Sequence, residues 1–329
     1  MKSYSTLLAL GKKLTENSTS ENEAFLTEMI NDSVRTIATM RKGMWNWLEV
    51  VEEVLTVASQ EGYQLPNNIR RIADLYIRIA GSGPNYTTYL PMAVFDPNRW
   101  KLILASNLGV SDWPLFYYSQ EGSGKVEIQP IPASNDNIIV IRGRLNIKDL
   151  NQADYTTGTI TTATNGSPTI VGSGTSWTSG MANDWIRITS TAAANGGDGF
   201  WYQIASVTNS TTLVLKKNYQ GTDIVAGSAT YAIGQMSPIP ESYDIAPVYR
   251  AAALYWNLRD DDKRAKEYWK YYDGGYEAGF ADAPGGLIGR MLEEAGEAVE
   301  GSYIPPQPLD DFMIDPNIPP RYPLTGFGP

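Results

Sequence analysis

The sequence predicts an α+β protein. N- and C-terminal helices form a helical bundle with a small β domain, and an inserted all-β module of barrel or sandwich type and an extended C-terminal arm complete the chain. Three observations predict this class: helical spacing of apolar residues near both ends, short β-branched runs between them, and eight prolines among residues 303–329. The predicted divisions are 1–48 (N-terminal helices), 49–155 (β domain), 156–235 (inserted module), 236–300 (C-terminal helices) and 301–329 (arm).

The first region reads as helical. Ser20 with Glu23 three residues later forms the pattern of a capping box, and Gly43 stands where a C′ glycine would end the helix. Between them apolar residues follow helical spacing: Phe25, Met29, Ile30, Val34, Ile37 and Met40.

Residues 49–155 change to a period of two. The run "IRRIADLYIRIAG" predicts a half-buried strand with Leu75, Ile77 and Ile79 on one face and Tyr76 and Arg78 on the other. Asp96 followed by Pro97 predicts the start of a short helix. A hairpin is predicted in "WPLFYYSQEGSGKVEIQPIP", and strands also in "EEVLTVASQEGYQLP" and "NIIVIRGRL".

The module at 156–235 is rich in Thr, Ser and Gly, which supply 35 of its positions, while six are charged. Its predicted strands are "DWIRITS", "FWYQIASV", "TTLVLKKNY" and "ATYAIGQ". We expect Trp185 to face inward, together with at least one ring of "FWYQI".

Helices return after residue 240. "DIAPVYRAAALYWNLRD" spaces Val248, Ala251, Ala252, Tyr255 and Leu258 helically, and "DDKRAKEYWKYYDGGYEAGF" places Tyr268, Tyr272, Tyr276 and Phe280 at i, i+4 intervals. Gly285 and Gly286 break the chain before a last short helix.

Composition excludes much chemistry. The chain lacks cysteine and histidine, which removes disulfides, thiol nucleophiles, histidine bases and nearly all zinc sites. A formal charge of −10 argues against tight binding of nucleic acid. The apolar run at residues 7–10 is too short for a signal peptide, and no stretch is long enough for a membrane span. We predict no enzyme activity, no cofactor, no metal and no small-molecule ligand.

Four short motifs have structural interpretations. "GSGTSWTS" (172–179) lacks the lysine of a phosphate loop and predicts a turn. "NGGDG" (195–199) predicts a hairpin tip, and "RDDDKR" (259–264) predicts capping of a helix. Glycoside hydrolysis needs two carboxylates that face each other across a cleft. Adjacent carboxylates such as Glu52 and Glu53, or Glu293 and Glu294, point away from each other. We therefore expect them on solvated faces.

The order of pieces resembles the head–tail adaptor (connector) proteins of tailed bacteriophages. The resemblance covers about residues 20–280. It is carried by "ENEAFLTEMINDSVRTIATMRKGMWNW", by Tyr63, Leu65 and Pro66 before a long strand, and by Ser111 to Pro114 leading into a hairpin that ends in Pro130 and Pro132. The module is similar to one that recurs in phage structural proteins.

This resemblance implies a structural virion protein, assembled in the host cytoplasm and located in the neck. It would form a homo-oligomeric ring, usually of twelve subunits, with portal protein above and a tail or neck protein below. Double-stranded DNA would pass without sequence-specific contact. Two alternatives stay open: a tail tubular protein, and a carbohydrate-binding or host-recognition component that reads glycans through Trp177, Trp185, Trp201 and Tyr202.

Two stretches are candidate protein interfaces. One is the aromatic stripe Tyr268, Tyr272, Tyr276 and Phe280. The other is the arm, whose apolar side chains exceed what a solvated tail needs: Tyr303, Phe312, Ile318, Tyr322 and Phe327. Because proline keeps the arm extended, docking costs it less entropy. Deleting residues 303–329 should weaken assembly and leave the monomer's thermal stability nearly unchanged.

Overall fold

The computed structural model describes residues 1–40, 45–80, 87–106, 108–111, 113–119, 124–189, 197–279, 281–282 and 284–299. The fold is mixed α+β, as predicted. The chain divides into two compact units. The first unit is formed by residues 1–48 and 147–294, and the second contains residues 49–146.

The chain opens with two helices, α1 (Tyr4–Leu14) and α2 (Ser20–Thr39). The N-cap of α2 is Thr19, whose side chain accepts a hydrogen bond from the N–H of Asn22, so the predicted cap at Ser20 was wrong by one residue. A cap needs an extended backbone, which Thr19 has, whereas Ser20 is already the first residue of the helix. The predicted C′ glycine, Gly43, lies outside the described residues.

The second unit is built from two four-stranded sheets. One has the order β1-β8-β3-β4 and the other β2-β7-β6-β5. Their strands are β1 (Glu49–Leu55), β2 (Gly62–Gln64), β3 (Ile69–Ala80), β4 (Thr87–Pro91), β5 (Ala93–Val94), β6 (Phe116–Ser119), β7 (Lys125–Gln129) and β8 (Ile138–Leu145). The predicted strands and the predicted hairpin of β6 and β7 are confirmed.

Both sheets of the second unit contribute to one core. Leu75 and Ile77 of β3 are buried with Ile141 of β8, and Ile128 of β7 belongs to the same cluster. Full burial of each aliphatic side chain stabilises the fold by about 1.5–3 kcal/mol. The predicted alternation of β3 is therefore what joins the two sheets.

Helix α3 (Pro97–Ser106) follows β5. As predicted, Asp96 caps it, accepting hydrogen bonds from the N–H groups of Asn98 and Arg99 at 2.9 and 3.1 Å. The hydrogen bond from Arg99 is the main cause that holds the pKa of Asp96 below its ordinary value.

The inserted module is one seven-stranded, half-barrel sheet of order β14-β9-β10-β13-β12-β11-β15. Its strands are β9 (Thr159–Ala163), β10 (Thr169–Ser173), β11 (Trp185–Ile188), β12 (Trp201–Asn209), β13 (Thr212–Leu215), β14 (Ile224–Ala229) and β15 (Tyr231–Gly234). Side chains from all seven strands enter a single core. The four predicted strands are present, and β9, β10 and β14 are additional.

The inward face of β11 differs from the prediction. Ile186 and Ile188 are buried, whereas Trp185 and Arg187 are half-buried on the other face. The prediction that Trp185 faces inward was wrong because residues two apart on a strand share a face, so Trp185 goes with Arg187. The expectation for "FWYQI" is confirmed, since Tyr202 packs against the core.

Three helices follow: α4 (Ala246–Asn257), α5 (Asp262–Asp273) and α6 (Gly286–Val299). Val248 and Ala251 of α4 share a core with Leu7 of α1 and Leu26 of α2, so N- and C-terminal helices pack together. Asp261 caps α5 and accepts a hydrogen bond from the N–H of Arg264, as predicted. Leu258, predicted on the apolar face of α4, lies one residue past its end and is exposed.

Helix α5 is shorter than the aromatic stripe predicted. It ends at Asp273, because Gly274 adopts a left-handed conformation with φ of 77°. The Asp273 carboxylate then accepts hydrogen bonds from the N–H groups of Gly275, Tyr276 and Glu277, which fixes a turn. Tyr276 is therefore not on the helix, and Phe280 lies outside the described residues.

Candidate interaction surfaces

Three tyrosines form a surface on α4 and α5, here called the tyrosine surface: Tyr249, Tyr268 and Tyr271. The ring of Tyr249 stacks on Tyr268 with centroids 6.4 Å apart, and it lies 5.5 Å from the ring of Tyr271. Tyr268 also donates a hydrogen bond to the carbonyl of Leu14. Rigid, partly exposed tyrosines are enriched at protein interfaces, which makes this surface a candidate docking site.

The predicted stripe is divided by the structure. Tyr268 belongs to the tyrosine surface, Tyr276 is exposed in the turn after α5, and Tyr272 is fully buried inside its own unit. Burial also raises the pKa of Tyr272. The interface role of Tyr268, Tyr272 and Tyr276 stays a prediction, and so does that of Phe280, Tyr303, Phe312, Ile318, Tyr322 and Phe327, which lie outside the described residues.

Sequence reasoning missed Tyr249 and Tyr271. Tyr271 stands three residues after Tyr268, so helical spacing could have added it to the stripe. Tyr249 lies on the preceding helix, and no local pattern reveals that it meets α5. Its part in the surface depends on how α4 and α5 pack.

An ion-pair network fixes the elements behind this surface. Arg250 of α4 donates to Glu277 through Nε and Nη2 and to Asp32 of α2 through Nη1, at 2.6–2.9 Å. Burial alone would lower the pKa of the Arg250 guanidinium, but the hydrogen bonds to Glu277 and Asp32 raise it above its ordinary value. Arg250 therefore stays charged and ties α2, α4 and the turn after α5 together.

The second candidate surface lies in the second unit, around α3. Seven large apolar side chains are exposed within residues 94–115, and we call them the α3 surface: Val94, Leu102, Leu104, Leu108, Val110, Trp113 and Leu115. Exposed apolar side chains that together form a large patch mark interaction sites on soluble proteins, which makes this set a candidate.

One side chain anchors α3. Trp100 is its buried residue; its ring stacks on Tyr118 with centroids 5.9 Å apart, and its indole N–H donates to Glu127 at 2.8 Å. The neighbouring segment is held by its backbone, since Ser111 donates to the carbonyl of Ile131 and Leu115 to that of Gln129. The apolar side chains of the α3 surface thus project from a fixed frame.

The inserted module is tied to the helices of its unit at both of its ends. Asn31 of α2 donates to the carbonyl of Leu150 and accepts from its N–H, at 3.0 and 2.8 Å. Near the other end, the carbonyl of Gln235 accepts from the N–H of Tyr4 at 2.8 Å. The side chain of Ser3 donates to Asp154.

An ion pair between the exposed Lys148 and the buried Asp184 links the chain before the module to the module itself. Lys148 contacts the buried carboxylate of Asp184 at 3.2 Å. Burial raises the pKa of Asp184, and Lys148 offsets part of that shift. A cavity of about 20 Å³ beside Asp184 and Gln235 has room for one water molecule.

The aromatic residues of the module do not form one platform. Trp177 is buried, and its indole N–H donates to the hydroxyl of Tyr231 at 2.9 Å. Arg187 and Trp201 are directly opposite on β11 and β12, with the guanidinium 5.8 Å from the ring centroid, and Phe200 beside them is exposed. Trp177 thus cannot contact a glycan in the folded module.

The described residues contain no group of three or more acidic side chains arranged to hold a metal ion. Glu52 accepts from Asn68, while Glu53 pairs with Arg78 at 2.7 and 2.9 Å, so these adjacent carboxylates already have partners. Among the described helices, none is both long and apolar enough to cross a membrane.

Residues 2–166, half of the chain, match the family model described as SU10 adaptor protein. The chain belongs to the SU10 adaptor protein family. The resemblance to phage head–tail adaptors is thereby confirmed. Helices α1 and α2, the second unit and strand β9 of this SU10 adaptor protein lie within the match, whereas β10 to β15 and α4 to α6 lie beyond it. No curated protein sequence matches the chain.

Family membership makes the chain a structural adaptor protein of a bacteriophage and a component of the virion. The SU10 adaptor family is structural and generally non-enzymatic, in keeping with a sequence that lacks histidine and cysteine. Adaptors of this kind interact with other head and tail proteins.

Proposed function

We propose that this chain is the head-to-tail adaptor that forms a ring, of twelve subunits, beneath the portal, extends the DNA channel and docks the tail. The observation that carries the proposal is the family match over residues 2–166. A ring needs two different surfaces on each subunit that meet on its neighbours. The tyrosine surface is a candidate for one of these contacts.

Charge supports the part of the proposal that concerns DNA. The chain carries a formal charge of −10, and a channel built from acidic subunits repels the phosphate backbone. DNA would therefore slide through without sticking. No catalytic residue is required for this role.

The test mixes the purified chain with the portal protein of the same phage and measures the mass of the complexes by native mass spectrometry. We expect a ring-sized assembly bound to portal. Tyr271→Ser tests the tyrosine surface, and Tyr89→Ser, at an equally exposed tyrosine of β4, is the matched control. A chain that stays monomeric and ignores the portal contradicts the proposal.

The carbohydrate-binding alternative rests on the exposed Phe200 beside Trp201 and Arg187. Aromatic rings of this kind can stack on sugars. A glycan array with the full chain and with Trp201→Ala tests it, since specific binding that disappears in the variant would favour this alternative. The tail tubular alternative overlaps the adaptor role and differs in its position in the particle.

A further inference from the structure

We infer that the α3 surface is the binding site for the proline-rich segment 303–329 of this chain. Binding of the segment to this surface requires neither ring formation nor the portal.

The α3 surface is unusual within the described chain. Seven of the sixteen exposed large apolar residues lie in the short stretch 94–115. Leu102 is 71% exposed on a helix that has one buried residue. A partner that covers these exposed side chains would remove their apolar surface from water, which favours binding.

The segment 303–329 has the chemistry that fits such a surface. It contains three Pro-x-x-Pro repeats, at residues 305–308, 316–319 and 320–323. Such repeats favour the polyproline II conformation, which docks on exposed aromatic and apolar side chains at low cost in entropy. Trp113 of the α3 surface offers the exposed aromatic ring that this mode of binding uses.

Charge is complementary as well. The segment carries Asp310, Asp311 and Asp315 against the single base Arg321. On α3, Lys101 is exposed next to Leu102, whereas Arg99, three residues before Leu102, already lies 3.6 Å from Asp96. The ammonium group of Lys101 is therefore the charge on α3 that an aspartate of the segment would pair with.

The segment is longer than the helix that it would cover. At about 3.1 Å per residue in polyproline II, the 27 residues of the segment reach roughly 80 Å. The ten residues of α3 span about 15 Å at 1.5 Å each. The segment can therefore follow the whole α3 surface and contact it at several of its apolar residues.

The test is photo-crosslinking in the full chain. p-Benzoylphenylalanine replaces Phe312, or in a second protein Tyr322, and the cross-linked peptides are identified by mass spectrometry. We expect cross-links within residues 94–115. Because a tethered segment has a high effective concentration, even a weak contact will be captured.

Surface variants make the test decisive. Leu102→Ser with Trp113→Ser removes two exposed anchors and should lower the cross-link yield about five-fold. The matched control is Leu258→Ser with Val225→Ser, at residues 73% and 74% exposed elsewhere in the chain, and it should leave the yield unchanged. Lys101→Glu should lower the yield and Lys101→Arg should not. Cross-links outside residues 94–115, no cross-links, or an unchanged yield in the double variant overturn the inference.

Discussion

Arg250 and Glu277 form a forked ion pair in which Nε lies 2.9 Å from both carboxylate oxygens and Nη2 lies 2.6 Å from Oε1. The Arg250 side chain is 10% exposed and that of Glu277 is 33% exposed. Removal of Glu277 would leave a buried guanidinium with Asp32 as its remaining charged partner. This pair thus holds the turn after α5 against α4.

We predict that Glu277→Ala lowers the free energy of unfolding by about 2–3 kcal/mol, less than a fully buried pair would lose because Glu277 is partly solvated. The measurement is urea denaturation. The matched control is Glu16→Ala, which breaks the exposed pair of Glu16 with Arg264 and should cost under about 0.5 kcal/mol. Equal losses in the two variants would contradict a special role for Arg250.

Gly274 ends α5 and permits the turn that carries Tyr276. A Cβ at Gly274 would lie 3.0 Å from the Cα of Gly285, in a backbone with φ of 77°. We predict that Gly274→Ala destabilises the protein by more than the roughly 1–2 kcal/mol of left-handed strain alone. Gly279→Ala is the control, since φ is 76° and nothing lies within 4 Å of its Cβ. Urea denaturation of both variants measures the two losses in free energy of unfolding. If Gly279→Ala loses at least as much as Gly274→Ala, the close approach of Gly285 contributes nothing.

Asp184 makes stability depend on pH. Its pKa is raised by burial above the ordinary value of 3.8, so the folded state binds the proton more tightly than the unfolded state. Stability is therefore lost as pH rises from 3.8 through the folded pKa, and the cost is complete above it. We predict that Asp184→Asn melts above the parent protein near neutral pH and that the difference vanishes below 3.8.

Lys148→Met should shift the melting temperature in the direction opposite to Asp184→Asn. Because Lys148 offsets part of the burial cost of Asp184, its removal should lower the melting temperature at neutral pH. The parent protein, Asp184→Asn and Lys148→Met are compared by melting temperature across this pH range. Differences in melting temperature that do not change with pH would contradict the role given to Asp184.

Trp177 is a core residue of the inserted module and Trp201 is not. Trp177→Ala should cost about 3–5 kcal/mol, because it empties a buried site and leaves the hydroxyl of Tyr231 without this donor. Trp201→Ala, at a half-buried position, should cost under about 1.5 kcal/mol. Thermal denaturation distinguishes the two, and a larger loss for Trp201→Ala would place the core on the other face of the sheet.

Much of the fold could be predicted from local patterns. Strand β3 and helix α3 followed from period-two spacing and from the Asp96–Pro97 pair, which depend on neighbouring residues alone. Strands β9 and β10 were missed because Thr, Ser and Gly supply most of their residues, and β14 because Ala, Gly and Ser supply four of its six. Their strand structure depends on partners across the sheet and on single inward residues such as Ile160 and Ile170.

The candidate surfaces were harder to predict. The tyrosine surface requires Tyr249 to meet α5, which depends on helix packing, and the left-handed Gly274 removed Tyr276 from the predicted stripe. The sequence predicted the helix α3, but whether its leucines are covered depends on tertiary structure. Trp185 was predicted on the wrong face of β11, since it shares the face of Arg187 and the buried face holds Ile186 and Ile188.

The most direct test of the adaptor role is an electron cryo-microscopy map of the particle of the phage that encodes this chain. We expect density for the folds of both units in a ring directly below the portal, around the DNA channel. Density for this chain at the tip or side of the tail, with none beneath the portal, would contradict it.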